Sequence, residues 1–213
     1  MHPELLGGDP FAQLEARRGD ARHLYVVAAG DPAARDWPLR WVAHGLAEGT
    51  MVRSVLSSTA DGLVGDLATR DALLARWSGS PVLHFAGHGA LTEGRPWEAR
   101  LRLAGGETVT VADILMLRPS LGLVVLSGCD TGRAEALSSL EDVGLSEAFL
   151  AAGARTVVAT VSPVDDAQAA AFVSGFYANG GALAPAEAWR HLMKSDDPEL
   201  RAAAASWRVF GRP

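Results

Sequence analysis

The chain has 213 residues, with 19 basic and 25 acidic side chains, 48% hydrophobic residues and one cysteine. That length suits one domain able to bury roughly 70% of its unfolded surface, and the ordinary share of charge excludes wholesale disorder. A single cysteine excludes an intramolecular disulfide framework and any cysteine-based zinc site, and a net charge of −6 gives no basic footprint for nucleic acid.

Residues 1–20 are polar and irregular and read as a flexible N-terminal arm, with a short helical stretch in PFAQLEARR. They lack a charged region followed by an apolar core, so no secretory leader is expected. No apolar run reaches the roughly 18 residues of a spanning helix. One domain is expected over 21–213. HLYVVAAG (23–30) is a buried-strand run closed by Gly30, Asp31 and Pro32. Residues 36–48 suit a helix ending at Gly49, and MVRSVL (51–56) suits a second strand. Residues 59–61 can cap a helix through Trp77, and SPVLHFAG (80–87) is a third strand. LRLAGGETVTV (101–111) has the Gly-Gly turn and alternation of a small β-hairpin. A short helix to Leu117 follows, and LGLVVLSGC (121–129) is the most apolar strand of all.

The alternation continues through the second half. Residues 140–152 make an amphipathic helix stopped by Gly153, and RTVVATVSP (155–163) is a further strand. Asp165 or Asp166 can cap a helix through Tyr177, Pro185 opens another through Met193, and SWRVFG (206–211) is a last short strand. Strands without a polar face belong in a parallel sheet covered on both sides. The expected fold is α/β and doubly wound, a mainly parallel sheet of about six strands with a small β-hairpin insertion.

Ligands in such sheets bind outside the carboxyl ends of the strands. Two strand ends carry reactive side chains. One runs from His84 through Gly87, His88 and Gly89, and the other from Ser127 through Gly128 and Cys129. If these strands are neighbours, His88 and Cys129 leave the same edge of the sheet, each beside glycine. An imidazole can take the proton of a thiol, and the thiolate is the nucleophile. The backbone amides of Gly89 and Cys129 are the candidate oxyanion donors. A lone strand-end cysteine is more often a small buried hydrophobe, and a histidine between glycines more often satisfies a turn. Their coincidence at adjacent strand ends weakens both bland readings.

Other chemistries find less support. His84 and His88 share a face but have no third metal ligand, so His84 is read as structural and no metal or cofactor is expected. His2, His23, His44 and His191 are scattered. Asp130-Thr131-Gly132 spells the aspartic-protease triplet, but that chemistry needs two such aspartates sharing a proton. G-x-S-x-G, G-x-G-x-x-G and the Walker pattern are absent.

VLHFAGHGAL (82–91) followed by VVLSGCDTG (124–132) resembles the CHAT domain, a caspase-like family often found with tetratricopeptide repeats. EDVGLSEAFLAAGARTVVATVSPVDDAQAAAFVSGFY (141–177), APAEAWRHLM (184–193) and SWRVFG (206–211) are similar to the family's remaining helices and strands, so the resemblance covers about 22–213. It implies the caspase fold and a cysteine-peptidase mechanism. By motif position it puts the catalytic dyad on His88 and Cys129, with the amides of Gly89 and Cys129 as oxyanion hole.

CHAT domains are similar to separase, which cleaves after arginine using an acidic pocket. SPVDDAQ looks like the segment supplying that acid, with Asp166 the closest match and Asp165 beside it. A guanidinium suits a bidentate carboxylate; alternatively the two aspartates only cap the next helix. The chain carries neither the repeats nor the extra N-terminal half of many family members. A separate activator or regulatory protein, or the 1–20 arm, is therefore expected to sense the signal. Trp97, in the segment just past His88, either shapes a substrate pocket or packs under the hairpin.

The favoured expectation is an endopeptidase cleaving a specific protein after Arg or Lys, in a cytoplasm that keeps its thiol reduced. A bacterial defence or cell-death pathway, such as activation of a pore-forming protein, is what the resemblance permits. The alternative is a catalytically silent scaffold for protein–protein association. Neither nucleic acid nor a membrane is expected as partner.

Overall fold

A computed structural model of the chain describes residues 24–28, 61–77, 81–92, 95–119, 121–128 and 143–211. In chain order, β1 (Leu24–Ala28) and β2 (Asp61–Val64) precede α1 (Arg70–Trp77) and β3 (Val82–Gly87). Then come β4 (Gly89–Thr92), β5 (Arg95–Arg102), β6 (Thr108–Thr110), α2 (Val111–Leu117) and β7 (Leu123–Ser127). The rest is α3 (Leu145–Ala152), β8 (Thr156–Thr160), α4 (Asp166–Ala178), α5 (Pro185–Leu192), α6 (Pro198–Ala205) and β9 (Trp207–Gly211).

Among the described residues one sheet has the order β2-β1-β3-β7-β8-β9, its first five strands parallel and β9 antiparallel to β8. Successive side chains of a strand face opposite ways, and the core divides accordingly. Leu83, Phe85, Val124, Leu126, Val157 and Ala159 pack with Leu73, Trp77, Ile114 and Phe149 from α1, α2 and α3. Val82, Ala86, Leu123, Val125 and Val158 face the other way, toward Phe172, Phe176, Leu192 and Ala203 from α4, α5 and α6. Helices therefore cover both faces, which is why β3 and β7 are buried along their whole length.

The outer strand is fixed by aromatic packing. Trp207 stacks on Phe172 with ring centroids 4.1 Å apart. Trp189 Nε1 donates to the carbonyls of Ala204 and Trp207, each at 3.1 Å, tying α5 to α6 and β9. Beside this sheet lies a smaller antiparallel one, β4-β5-β6. Its β5–β6 turn uses Gly105 and Gly106 at φ +64° and +77°, values that favour residues without a Cβ.

Several expectations need correction. The helix expected from residues 59–61 starts only at Arg70, and Asp61–Val64 instead forms a strand alongside β1. Gly65, at φ +57°, breaks any continuous helix there, and Thr69 supplies the cap, its Oγ1 accepting from Ala72 N at 3.2 Å. The helix expected from residue 140 starts at Leu145, because Gly144 is extended at its N-cap. The hairpin expected at 101–111 is the second half of a three-stranded sheet that also takes in β4 and residues 95–100. A helix not expected, α6, is opened by Asp197, whose carboxylate accepts from Glu199 N and Leu200 N, with Pro198 at the first position. The 1–20 arm, the 36–48 helix and the 51–56 strand lie outside the described residues. No helix among the described residues is long and apolar enough to cross a membrane.

Candidate active site

β3 and β7 are neighbours, as the site reading requires. They run parallel, with Val82 opposite Leu123 and Ala86 opposite Ser127. Both strands therefore end at one edge of the sheet. β8 flanks β7 on its other side and ends at the same edge.

His88 is the single residue between β3 and β4, so the chain passes at this point from the large sheet to the small one. Its carbonyl accepts from Arg102 N at 2.9 Å, which anchors its backbone to β5. The residue is 8% exposed. Burial, and secondarily the Arg102 guanidinium, push its pKa from 6.5 down to about 4. Both effects disfavour the imidazolium, so the ring is uncharged at neutral pH and able to accept a proton.

Gly89 opens β4 and lies opposite Leu101. The bond from Arg102 N to the His88 carbonyl makes Gly89–Leu101 a non-hydrogen-bonded pair of the ladder. In such a pair the N–H is turned away from the partner strand. The Gly89 amide is thus directed away from β5.

Cys129, like Asp130, Thr131 and Gly132, lies outside the described residues. The description of this strand end stops at Gly128. Ser127 is buried, and Thr160 Oγ1, fully buried on β8, donates to the Gly128 carbonyl.

Asp165 is the N-cap of α4, just past the end of β8. Its Oδ1 accepts from Gln168 N at 2.8 Å while its own N donates to Gln168 Oε1 at 3.3 Å. This reciprocal capping box satisfies two helix-terminal donors and engages one carboxylate oxygen. Asp166 is the first residue of α4. Both aspartates follow the strand adjacent to β7, on the edge where β3 and β7 also end.

His84 is set apart from this edge. Its ring is buried on the face covered by α4, with Nδ1 3.0 Å from the Tyr177 hydroxyl oxygen. Among the described residues, no group of three or more His, Cys, Asp or Glu is arranged to hold a metal ion. Trp97 sits on β5 and is 47% exposed, so it is not packed under the hairpin.

Two neighbours of the strand ends escape a reading of the sequence. Arg102 reaches His88 only through the β4–β5 pairing. Thr160 reaches Gly128 only through the β7–β8 pairing. Neither belongs to a local motif, because long-range register creates both contacts.

A family model described as "CHAT domain" matches residues 7–202 and so begins inside the segment read as an arm. Tetratricopeptide repeat protein 28 of Mus musculus is 31% identical, in a match covering 55% of this chain and 6% of that protein. The crystal structure of the Arg-specific cysteine proteinase gingipain R is similar at a TM-score of 0.61 and 15% identity, covering 92% of this chain and 48% of that one. A Saccharomyces cerevisiae separase–securin complex is similar at a TM-score of 0.60 and 13% identity, covering 95% of this chain and 13% of the other. At these identities the likeness is one of fold, the caspase-like mixed α/β fold with a mainly parallel sheet. The chain spans under half the length of each of these proteins.

Proposed function

The chain belongs to the CHAT domain family, and on that premise we propose that it is a cysteine endopeptidase with Cys129 as nucleophile and His88 as general base. One observation carries the reading. β3 and β7 are paired at a constant offset of 41 residues, from Val82–Leu123 to Ala86–Ser127, and the same offset separates His88 from Cys129. Each stands two residues past the last paired position. The two reactive groups therefore follow equivalent points of adjacent strands, a relation with no bearing on packing.

The chemistry follows from the side chains. Neutral His88 takes the Cys129 thiol proton as the sulfur attacks the scissile carbonyl carbon. The oxyanion that forms is held by the amides of Cys129 and Gly89, the latter being turned away from β5. As the C–N bond breaks, the proton passes from His88 to the departing amine. Water then hydrolyses the thioester and frees the thiol.

The residue before the cleaved bond is Arg or Lys in this reading. Asp166 is its carboxylate partner, since one oxygen of Asp165 already caps α4. The substrate is a specific protein cut at a regulated site. A setting that the family resemblance permits is a defence or cell-death pathway, for example one in which cleavage activates a pore-forming protein.

A panel of peptide reporters ending in Arg, Lys, Asp or Gln tests this, each run with Cys129→Ala as blank. Turnover is expected for Arg and Lys only, and Asp166→Asn is expected to reduce it mainly through KM. Asp165→Ala should cost about 1 kcal/mol of stability through the lost cap while leaving the preference for basic residues intact. Equal signal from Cys129→Ala, with and without candidate activators, would favour the scaffold reading instead.

A further inference from the structure

We propose that Arg102, with Arg100 beside it, is a specificity-determining pair that takes an acidic side chain of the substrate on the leaving-group side of the cleaved bond. The inference rests on the peptidase reading above and extends it to residues of the small sheet. The β4–β5 register sets Gly89 opposite Leu101 and Ala90 opposite Arg100, which puts Arg102 opposite His88. The bond from Arg102 N to the His88 carbonyl belongs to that pairing. Directly opposed residues share a face, with Cβ atoms about 5 Å apart. His88, Arg102 and Thr108 therefore form one row across the face, and Ala90, Arg100 and Thr110 form the next. The opposite face is the packed one, where Leu101 and Val109 are fully buried.

The positive charge on this face is uncompensated. The acids of the region are engaged elsewhere: Glu98 pairs with Arg95 at 3.0 Å, Asp113 pairs with Arg70 at 2.7 Å, and Glu107 accepts from Arg70 N. Neither Arg100 nor Arg102 makes a side-chain ion pair or hydrogen bond with another described residue. Arg102 is exposed, whereas His88 opposite it is buried. In the proposed reaction His88 becomes an imidazolium and passes its proton to the departing amine. The residues after the cleaved bond therefore leave past His88, where Arg102 stands. A bare guanidinium there disfavours the imidazolium. A substrate carboxylate on Arg102 offsets that repulsion, and the planar fork of arginine suits a carboxylate. Asp165 and Asp166 follow β8, on the other side of β7 from β3. A substrate basic before the cleaved bond and acidic after it matches this order of charges.

Fluorogenic peptides with Arg before the cleaved bond, and Asp, Ala or Lys at each of the first three positions after it, test the pair on the full chain. At low salt, kcat/KM is expected to be about tenfold higher for Asp than for Ala at one of these positions, and lowest for Lys. The advantage should shrink as salt is raised. Arg102→Ala should remove most of the Asp-to-Ala ratio, and the double variant Arg100→Ala, Arg102→Ala should abolish it. Arg102→Glu should turn the preference toward Lys. A ratio taken within one protein is indifferent to how much of that protein is folded. Equal rates for Asp, Ala and Lys at all three positions overturn the proposal, as does an Asp preference that survives in the double variant. If no peptide is turned over faster than by Cys129→Ala, the peptidase reading fails, and fluorescence anisotropy decides the pair by binding alone. Cys129→Ala should then bind the Asp peptide about tenfold more tightly than the Ala peptide, and lose that difference when Arg102→Ala is added. Equal affinities in Cys129→Ala, or a difference untouched by Arg102→Ala, overturn it.

Discussion

Replacing Cys129 with alanine is expected to lower hydrolysis of an Arg reporter by roughly a thousandfold or more, to the level left by binding and the oxyanion donors alone. Without the sulfur no covalent intermediate forms, and raising the pH cannot restore it. His88→Ala is expected to be similarly damaging at pH 7 but to behave differently with pH. An unassisted thiol ionises near pH 8.5, so this variant should regain activity as the pH is raised toward 10. The two variants together separate a nucleophile from its base. Loss of activity in His88→Ala that is unchanged by pH would mean that His88 supports the fold and not the proton transfer. Full activity in Cys129→Ala would end the thiol mechanism.

The second large effect is acid sensitivity. In the folded chain His88 binds its proton only near pH 4, whereas the unfolded chain binds it at about 6.5. Between those values the unfolded state holds the extra proton, so stability is full above 6.5 and falls as the pH is lowered toward 4. The slope is about 1.4 kcal/mol per pH unit across that window. Asp113, whose carboxyl is held below its usual 3.8 by bonds from Thr110 and Arg70 that outweigh its desolvation, contributes only at still lower pH.

Urea unfolding at pH 7.5 and at pH 5, on the unmodified chain and on His88→Asn, isolates the histidine as the difference between the two proteins. A difference near 2 kcal/mol is expected on the slope above. No difference would mean that the ring is solvated and titrates normally. Because burial is the larger cause, Arg102→Ala should remove only the smaller part of it. The same displacement puts the acid limb of kcat/KM near pH 4, well below that of an exposed histidine.

The sheet was legible wherever apolar runs were continuous. Val82–Gly87, Leu123–Ser127 and Thr156–Thr160 declare themselves by composition, and a buried parallel strand needs no more than that. Asp61–Val64 was not legible, because four residues with a central glycine hold too little pattern to outweigh the capping signals around them. Its strand character comes from parallel pairing with β1. The missed helix Pro198–Ala205 did carry a signal, the Asp197-Pro198 pair ahead of an alanine run. The candidate site divides in the same way. His88 and Cys129 drew attention in the sequence because each stands beside glycine at the end of an apolar run, and the strand pairing adds the adjacency of those two strand ends. Arg102 and Thr160 were not, because their places depend on the pairing of strands separated by many residues. Asp165 carried both readings in the sequence, and the capping box with Gln168 shows one of its oxygens already committed.

The central claim is that the one thiol of this chain is a nucleophile activated by His88. Intact-mass analysis after treatment with an arginyl chloromethyl ketone tests it most directly, since Cys129 is the only cysteine that can be labelled. A single stoichiometric adduct that maps to Cys129 is expected. It should form far faster than with an acidic or neutral analogue, and slow sharply in His88→Ala at pH 7. An adduct mapping to another residue, or labelling of Cys129 at equal rates with basic and acidic reagents and undiminished in His88→Ala, would contradict it.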